Sequence, residues 1–226
     1  MPLYIVATPI GNLEDISLRA LRILKEADLI LSEDTRVAGK ILQPYEIRVP
    51  LLSYHHHSGI TKINHIIELL KEDKKIALVS DAGTPGISDP GGELVHQVLE
   101  AIPDIQLEAI PGPSALIAAL SISGMPTDKF LFLGFPPHKK GRQTFLTKIK
   151  ASEYPVVVYE SKHRIIKFLE ELKAVINPQA EIMVGRELTK MHETAYRGDV
   201  NKILTEIKSD LNAQKGEFVV IIKNNK

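Results

Sequence analysis

A chain of 226 residues, 44% hydrophobic and 25% charged, has the size and balance of one large or two small globular domains. Its 28 Lys and Arg offset 28 Asp and Glu, which disfavours a protein coated in nucleic acid but leaves room for one basic face. There is no cysteine, so disulfides, thiolate zinc sites and cysteine nucleophiles are excluded. No apolar run is long enough for a membrane span, and the start, MPLYIVATPIGN, has neither the basic region nor the cleavage site of a signal peptide. A cytoplasmic protein that does not enter the membrane is the expectation.

In chain order, Leu3–Ala7 is a short apolar strand and Thr8–Asn12 (TPIGN) a turn. A helix follows over ISLRALRILKEAD, with Ser17 or Asp15 as its cap and Leu18, Leu21, Leu24 and Ala27 on one face. Strand Leu29–Glu33 runs into Glu33-Asp34-Thr35-Arg36, a short helix over Val37–Leu42 stops near Pro44, and strand RVPLLSY leads to His55-His56-His57. The next helix, Ile60–Lys71, places Ile60, Ile63, Ile67 and Leu70 on one stripe. The unbroken apolar run Ile76–Val79 reads as a strand buried on both faces of a parallel sheet.

After that strand comes DAGTPGISDPGG (Asp81–Gly92), then a helix over Glu93–Ile102, strand Ile105–Ile110, the break Pro111-Gly112-Pro113-Ser114 and a helix over ALIAALSIS. Strands alternating with helices argue for a parallel, doubly wound sheet. The composition changes near Met125, giving domains over 1–124 and 125–226. The second holds strand Phe130–Phe135, the basic stretch His138-Lys139-Lys140-Gly141-Arg142, a helix near Gln143–Lys150, strand PVVVYES, helix RIIKFLEELKAVI, strands EIMVGRE and ETAYRGDV, helix NKILTEIKSDL and strand GEFVVIIK.

Three Gly/Pro loops thus fall at strand ends: TPIGN, DAGTPGISDPGG and PGPS. Ligands of open α/β sheets lie outside the carboxyl ends of the strands, so these loops are expected to form one small-molecule pocket lined by backbone. No Lys follows the glycines and the pattern is not GxGxxG, which excludes a phosphate-gripping P-loop. Three consecutive histidines on a strand point to alternating faces and do not converge on one ion, so no metal is expected.

LYIVATPIGNLEDISLRAL, SEDTR, SDAGTPGISDPG, IPGPSALIAAL, FLFLGFPP and GRELTKMHE occur in this order along the whole chain. Together they resemble the tetrapyrrole methylase superfamily, the class III S-adenosylmethionine (SAM) methyltransferases, and within it the ribosomal RNA branch. TPIGN and Gly83-Thr84-Pro85 stand where the tetrapyrrole-modifying branch has a GxGPGD-like start and a GDP loop. The resemblance implies two α/β domains, an N-terminal parallel doubly wound sheet and a C-terminal mixed sheet, with the cofactor cleft between them. It also implies a homodimer, S-adenosyl-L-methionine as cofactor, and methylation of a cytidine ribose 2′-hydroxyl in the decoding region of small ribosomal subunit rRNA.

By position the resemblance implies cofactor contacts from Pro9, Ile10, Gly11, Asp81, Gly83, Thr84, Pro85, Ile87, Gly112, Pro113 and Ser114, and from Tyr159 and Arg186 of the second domain. Asp89 is read as a turn residue binding its own backbone. Asp34, Arg36 and Glu187 are the catalytic candidates: Arg36 to bind phosphate, Asp34 to orient or deprotonate the hydroxyl, with an internal Asp–Arg pair as the alternative. Glu33 and a His of the triplet are further candidates for the base. Two departures stand out: the branch often carries a basic C-terminal extension where this sequence stops at Lys226, and Ser58 follows the histidines where Asn is common. A methyltransferase of a tetrapyrrole or other small molecule, and a SAM-binding module without catalysis, are the competing readings. The first is helped by the zero net charge and the missing extension, and the scarcity of aromatic side chains (5%, no Trp) for stacking bases keeps both open.

Overall fold

A computed structural model describes residues 2–55 and 58–224. The chain divides into two compact units, Met1–Ser114 and Ala115–Lys226.

The first unit runs β1 (Leu3–Val6), α1 (Leu18–Glu26), β2 (Leu29–Ser32), α2 (Thr35–Leu42), β3 (Leu51–Ser53), α3 (Ile60–Lys71), β4 (Ile76–Val79), α4 (Gly91–Ala101) and β5 (Leu107–Ile110). Its strands form one parallel sheet in the order β3-β2-β4-β1-β5. All four residues of β4 are buried, as its unbroken apolar sequence requires of a strand covered on both faces. Ala77 and Val79 pack with Ile23 and Leu24 of α1, whereas Ile76 and Leu78 pack with Ile66 of α3 and Leu94 of α4. The adjacent strands β1 and β4 therefore send their following helices to opposite faces, which makes their carboxyl ends a topological switch point.

Two helical stripes differ from those expected. In α1 the buried positions are Ala20, Ile23 and Leu24, and Leu18 is 85% exposed; in α3 they are Ile63, Ile66, Ile67 and Leu70, and Ile60 is 68% exposed. Each outlier is the first residue of its helix, next to Ser17 and Gly59 at the caps, so it sits before the turn that meets the sheet.

The second unit contains α5 (Ala115–Ser121), β6 (Leu131–Gly134), α6 (Arg142–Ala151), β7 (Val156–Ser161), α7 (Ile165–Lys173), β8 (Glu181–Arg186), β9 (Thr194–Gly198), α8 (Val200–Ser209) and β10 (Glu217–Lys223). Its sheet is mixed, in the order β6-β7-β10-β8-β9, with only β6 and β7 parallel. Phe168, Leu169 and Leu172 of α7 and Ile203 and Ile207 of α8 cover one face through Val158, Val184, Phe218 and Val220. The division between units falls before α5, earlier than the composition change near Met125. The reason is that α5 packs on β10 and its Leu116 N–H donates to the Tyr159 hydroxyl of β7 at 3.1 Å.

Candidate functional site

Because the first sheet is parallel, the loops after its five strands all leave one edge. Three of them are tied together. Thr8, just past β1, and Gly83, past β4, exchange main-chain hydrogen bonds of 2.9 and 3.1 Å in an isolated antiparallel bridge. The Thr8 hydroxyl also donates to the Ser80 carbonyl at 2.9 Å. Thr84 in turn donates its hydroxyl to the Pro113 carbonyl of the loop after β5 at 3.1 Å.

Gly83 has φ +85°, the left-handed region, and a Cβ there would stand 3.3 Å from the Ile10 side chain. A Cβ on Gly112 would stand 3.0 Å from that of Ala7, so the third loop lies directly on the end of β1. The expected positions Pro9, Ile10, Gly83, Thr84, Pro85, Gly112, Pro113 and Ser114 thus share one set of interlocked loops, with Gly11 at its exposed margin. Ile87 is 43% exposed and offers apolar surface beside them. Asp89 accepts the Gly86 and Gly91 N–H groups at 2.5 and 2.8 Å, closing the β4 loop on itself as an Asp in a turn does.

Beside this knot, on the same sheet edge, lies a cavity of about 620 Å³ lined by Glu33, Asp34, Thr35, Arg36, Ser53, His55 and Asp81. Asp34 caps α2 by accepting the Arg36 N–H at 2.8 Å. Its two oxygens also hold the Arg36 guanidinium, Oδ1 from Nε at 3.0 Å and Oδ2 from Nη2 at 2.6 Å. These bonds hold the Asp34 carboxyl down at about 2 and push the guanidinium of Arg36 up. The internal Asp–Arg pair therefore exists, while the guanidinium itself remains open to solvent.

Asp81 differs in kind. Its Oδ1 accepts the Asp34 N–H at 3.1 Å. Burial, then the neighbouring charges of Asp34 and Asp89, raise its carboxyl above the ordinary value against the opposing effect of that bond. Sequence alone assigned Asp81 to the cofactor and did not bring it beside Asp34. The missing signal was strand order, because β2 and β4 are neighbours in space but not in sequence.

At the cavity's margin the Ser58 hydroxyl accepts the His55 N–H at 3.0 Å, and the Ser58 N–H donates to the His55 carbonyl at 2.8 Å. His56 and His57 lie outside the described residues. No group of three or more His, Asp or Glu side chains is placed to hold a metal among the described residues.

The remaining candidates belong to the second unit. Tyr159 packs its ring against Phe132 and Phe135 at centroid distances of 5.0 and 5.5 Å. Arg186 is buried and donates to three carbonyls, those of Lys215, His192 and Asn212, at 2.7, 3.1 and 2.7 Å. Glu187 accepts from Lys190 and from the Glu217 N–H, both at 2.9 Å. Both residues fasten the segments around β8 and β10. Neither lines the cavity.

The sequence model of the tetrapyrrole (corrin/porphyrin) methylases matches residues 2–204. The chain is 45% identical over 225 residues to ribosomal RNA small subunit methyltransferase I of Escherichia coli O157:H7, spanning 99% of the chain and 78% of that protein. It is 46% identical over 224 residues to the protein of the same name from Hydrogenobaculum sp. (strain Y04AAS1), spanning 98% and 95%. The Thermotoga maritima protein of that name is 42% identical over 220 residues, spanning 97% of each. Among solved structures, cobalt precorrin-4 methyltransferase, a cobalamin biosynthetic enzyme, superposes with a TM-score of 0.70 at 16% identity over 98% of the chain and 94% of its own. Uroporphyrin-III-C-methyltransferase from Thermus thermophilus gives 0.67 at 19% identity over 97% and 93%. At such identities these two show the shared fold alone.

Proposed function

The chain belongs to the tetrapyrrole methylase family, and on that premise we propose that it methylates small-subunit ribosomal RNA, transferring the methyl group of SAM to the ribose 2′-hydroxyl of a cytidine in the decoding region. Three relatives carrying the name of a small-subunit rRNA methyltransferase, each over nearly the whole of this chain, support rRNA over a tetrapyrrole. The observation that carries the mechanism is that one loop serves two places. The β4 loop supplies Asp81 to the cavity and, two residues on, Gly83 to the three-loop knot.

The knot suits SAM by its chemistry: main-chain N–H and C=O groups and a small hydroxyl for an adenine and an amino acid, with Ile10 and Ile87 as apolar contacts. When bound, SAM supplies a methyl group on a positively charged sulfur, already activated for displacement. The chain's task is then alignment and removal of one proton. Arg36, anchored by Asp34 and open to solvent, holds a phosphate flanking the target ribose. Asp81 takes the hydroxyl proton. Its raised affinity for a proton makes it the stronger base, whereas Asp34 is already neutralised by its arginine.

Tyr159 remains a cofactor contact in this reading. Arg186 and Glu187 shape the protein instead, since their polar atoms are engaged by main chain and Lys190. The protein acts in the cytoplasm as a homodimer, which light scattering of the purified chain checks. Labelled SAM offered with assembled small subunits, naked rRNA and a porphyrinogen tests the whole reading. Label in ribosomal RNA, at a ribose oxygen, is expected; label in the macrocycle alone, or in none of the three, overturns it.

A further inference from the structure

Two basic segments that are distant in sequence meet in the second unit: the loop between β6 and α6, Pro136-Pro137-His138-Lys139-Lys140-Gly141, and the turn between β7 and α7, Lys162-His163-Arg164. Two arginines join them. Arg164 donates to the Pro136 carbonyl at 3.0 Å, and Arg142 donates to the Pro137 carbonyl at 2.9 Å, so both clamp the same Pro-Pro turn. Each is itself fixed by a carboxylate: Arg164 by fully buried Glu160 at 2.9 Å, Arg142 by Glu171 at 2.6 Å.

The consequence is a separation of labour among the cations. The arginines are turned inward and their charges are matched by Glu160 and Glu171. Lys139, Lys140, Lys162, His138 and His163 are left exposed, with no acidic residue in either segment. Lys139, Lys140 and Lys162 make no ion pair among the described residues. A lone run of charge on a floppy loop is ordinary surface, but here two runs are locked side by side on a braced scaffold. Because the whole chain is formally neutral, this positive patch is local and not part of a general excess.

We infer that this paired-loop platform binds the phosphate backbone of RNA, and that it supplies a grip on the ribosomal substrate in addition to the proposed contacts of the first unit. RNA as the ligand rests on the methyl-transfer reading above. Lysines on a rigid surface contribute point charges to phosphates without reading sequence, so the contact sets affinity and salt dependence and not the choice of nucleotide.

The test compares Lys139→Glu/Lys140→Glu/Lys162→Glu with a control of equal charge change elsewhere, Lys25→Glu/Lys74→Glu/Lys173→Glu, which alters other exposed lysines. A neutral triple glutamine variant of the platform guards against misfolding. Binding of purified small-subunit rRNA is followed between about 50 and 200 mM salt. The platform variants are expected to lose at least about tenfold in affinity at the low end and about two to three in the slope of log affinity against log salt, the control far less. Equal losses in platform and control variants, or wild-type protein that binds anionic lipid vesicles but not rRNA, overturn the inference. Methyl transfer is scored separately. If wild type binds rRNA through these lysines yet labels no ribosomal RNA, the platform stands and the proposed reaction falls. If platform variant and wild type label subunits with the same KM, the reaction stands and the platform falls.

Discussion

The main-chain N–H of Asp34 donates to Oδ1 of Asp81 at 3.1 Å, joining the ends of two strands that are adjacent in the sheet. That bond leaves two carboxylates in one cavity with opposite tendencies. Asp34 is held down at about 2 by Arg36, and Asp81 is pushed up by burial. In the proposed reaction, groups driven apart in this way divide the work of proton transfer and charge binding.

The pH profile separates them. If Asp81 must be ionised to accept the proton, the rate falls as pH drops through its raised value, so the acid limb lies above the ordinary carboxylate value of 3.8. Asp34, already ionised down to about 2, cannot produce that limb. Asp81→Asn is expected to lower kcat by about 10²- to 10⁴-fold and to abolish the limb, with SAM affinity by calorimetry nearly unchanged. Asp34→Asn, which releases Arg36, is expected to raise KM for the ribosomal substrate and to keep the limb.

The knot of loops yields a second prediction. Thr84→Arg puts a long cation where a small hydroxyl now reaches the Pro113 carbonyl, and is expected to abolish SAM binding while the thermal transition stays cooperative. Gly83→Ala acts through the backbone. At φ +85°, with Ile10 3.3 Å from the added carbon, it is expected to cost about 1 kcal/mol or more of stability and to weaken SAM binding together with it. Unchanged calorimetric affinity in both variants removes the knot from the cofactor site.

Much of this architecture was legible from residue patterns, for identifiable reasons. The β4 run Ile76–Val79 announces burial on two faces because no polar residue interrupts it, and the Gly/Pro loops mark strand ends because few other residues turn so tightly. What sequence conceals is which strands become neighbours. The Asp34–Asp81 bond depends on β4 inserting between β2 and β1, and nothing local to either residue encodes that. The same blindness applies to the partners of Arg186 and Glu187. Their place at a strand end resembles that of Asp34, but their partners Lys215, Asn212 and Glu217 lie at and just before the start of β10, far along the chain. Leu18 and Ile60 misled for a different reason, since periodicity does not say where the first turn stands relative to the sheet.

Glu187 and Lys190 lead to a prediction about stability. Burial alone raises the Glu187 carboxyl, but hydrogen bonds from Lys190 and the Glu217 N–H outweigh it and hold the group below its usual 4.5. A carboxylate depressed on folding contributes stability above its unfolded value, and that contribution disappears as pH falls through the folded one. Lys190→Met is therefore expected to lower the urea midpoint at neutral pH by the equivalent of about 1 kcal/mol. The gap to wild type narrows as pH drops below 4.5. A gap that stays constant with pH assigns the loss to packing of the lysine stem.

Tyr159, proposed above as a cofactor contact, also supports the fold of the second unit. Its hydroxyl accepts the Leu116 N–H, one of the donors at the start of α5 that have no partner within the helix. Tyr159→Phe keeps the ring against Phe132 and Phe135 and removes the acceptor of the Leu116 N–H, so it is expected to cost about 1 kcal/mol. Tyr159→Ala also strips away the aromatic cluster and is expected to cost about 2 to 3 kcal/mol, less than a fully buried ring would. With the hydroxyl oxygen accepting from α5, the proposed contact with SAM is assigned to the ring. The Phe variant should then hold SAM within about threefold of wild type, whereas the Ala variant loses at least about tenfold, the equivalent of an aromatic contact near 1.4 kcal/mol. Thermal melts and calorimetry on the two variants decide the matter: a large affinity loss already in Tyr159→Phe, without a matching loss of stability, means that the hydroxyl leaves Leu116 to serve the ligand.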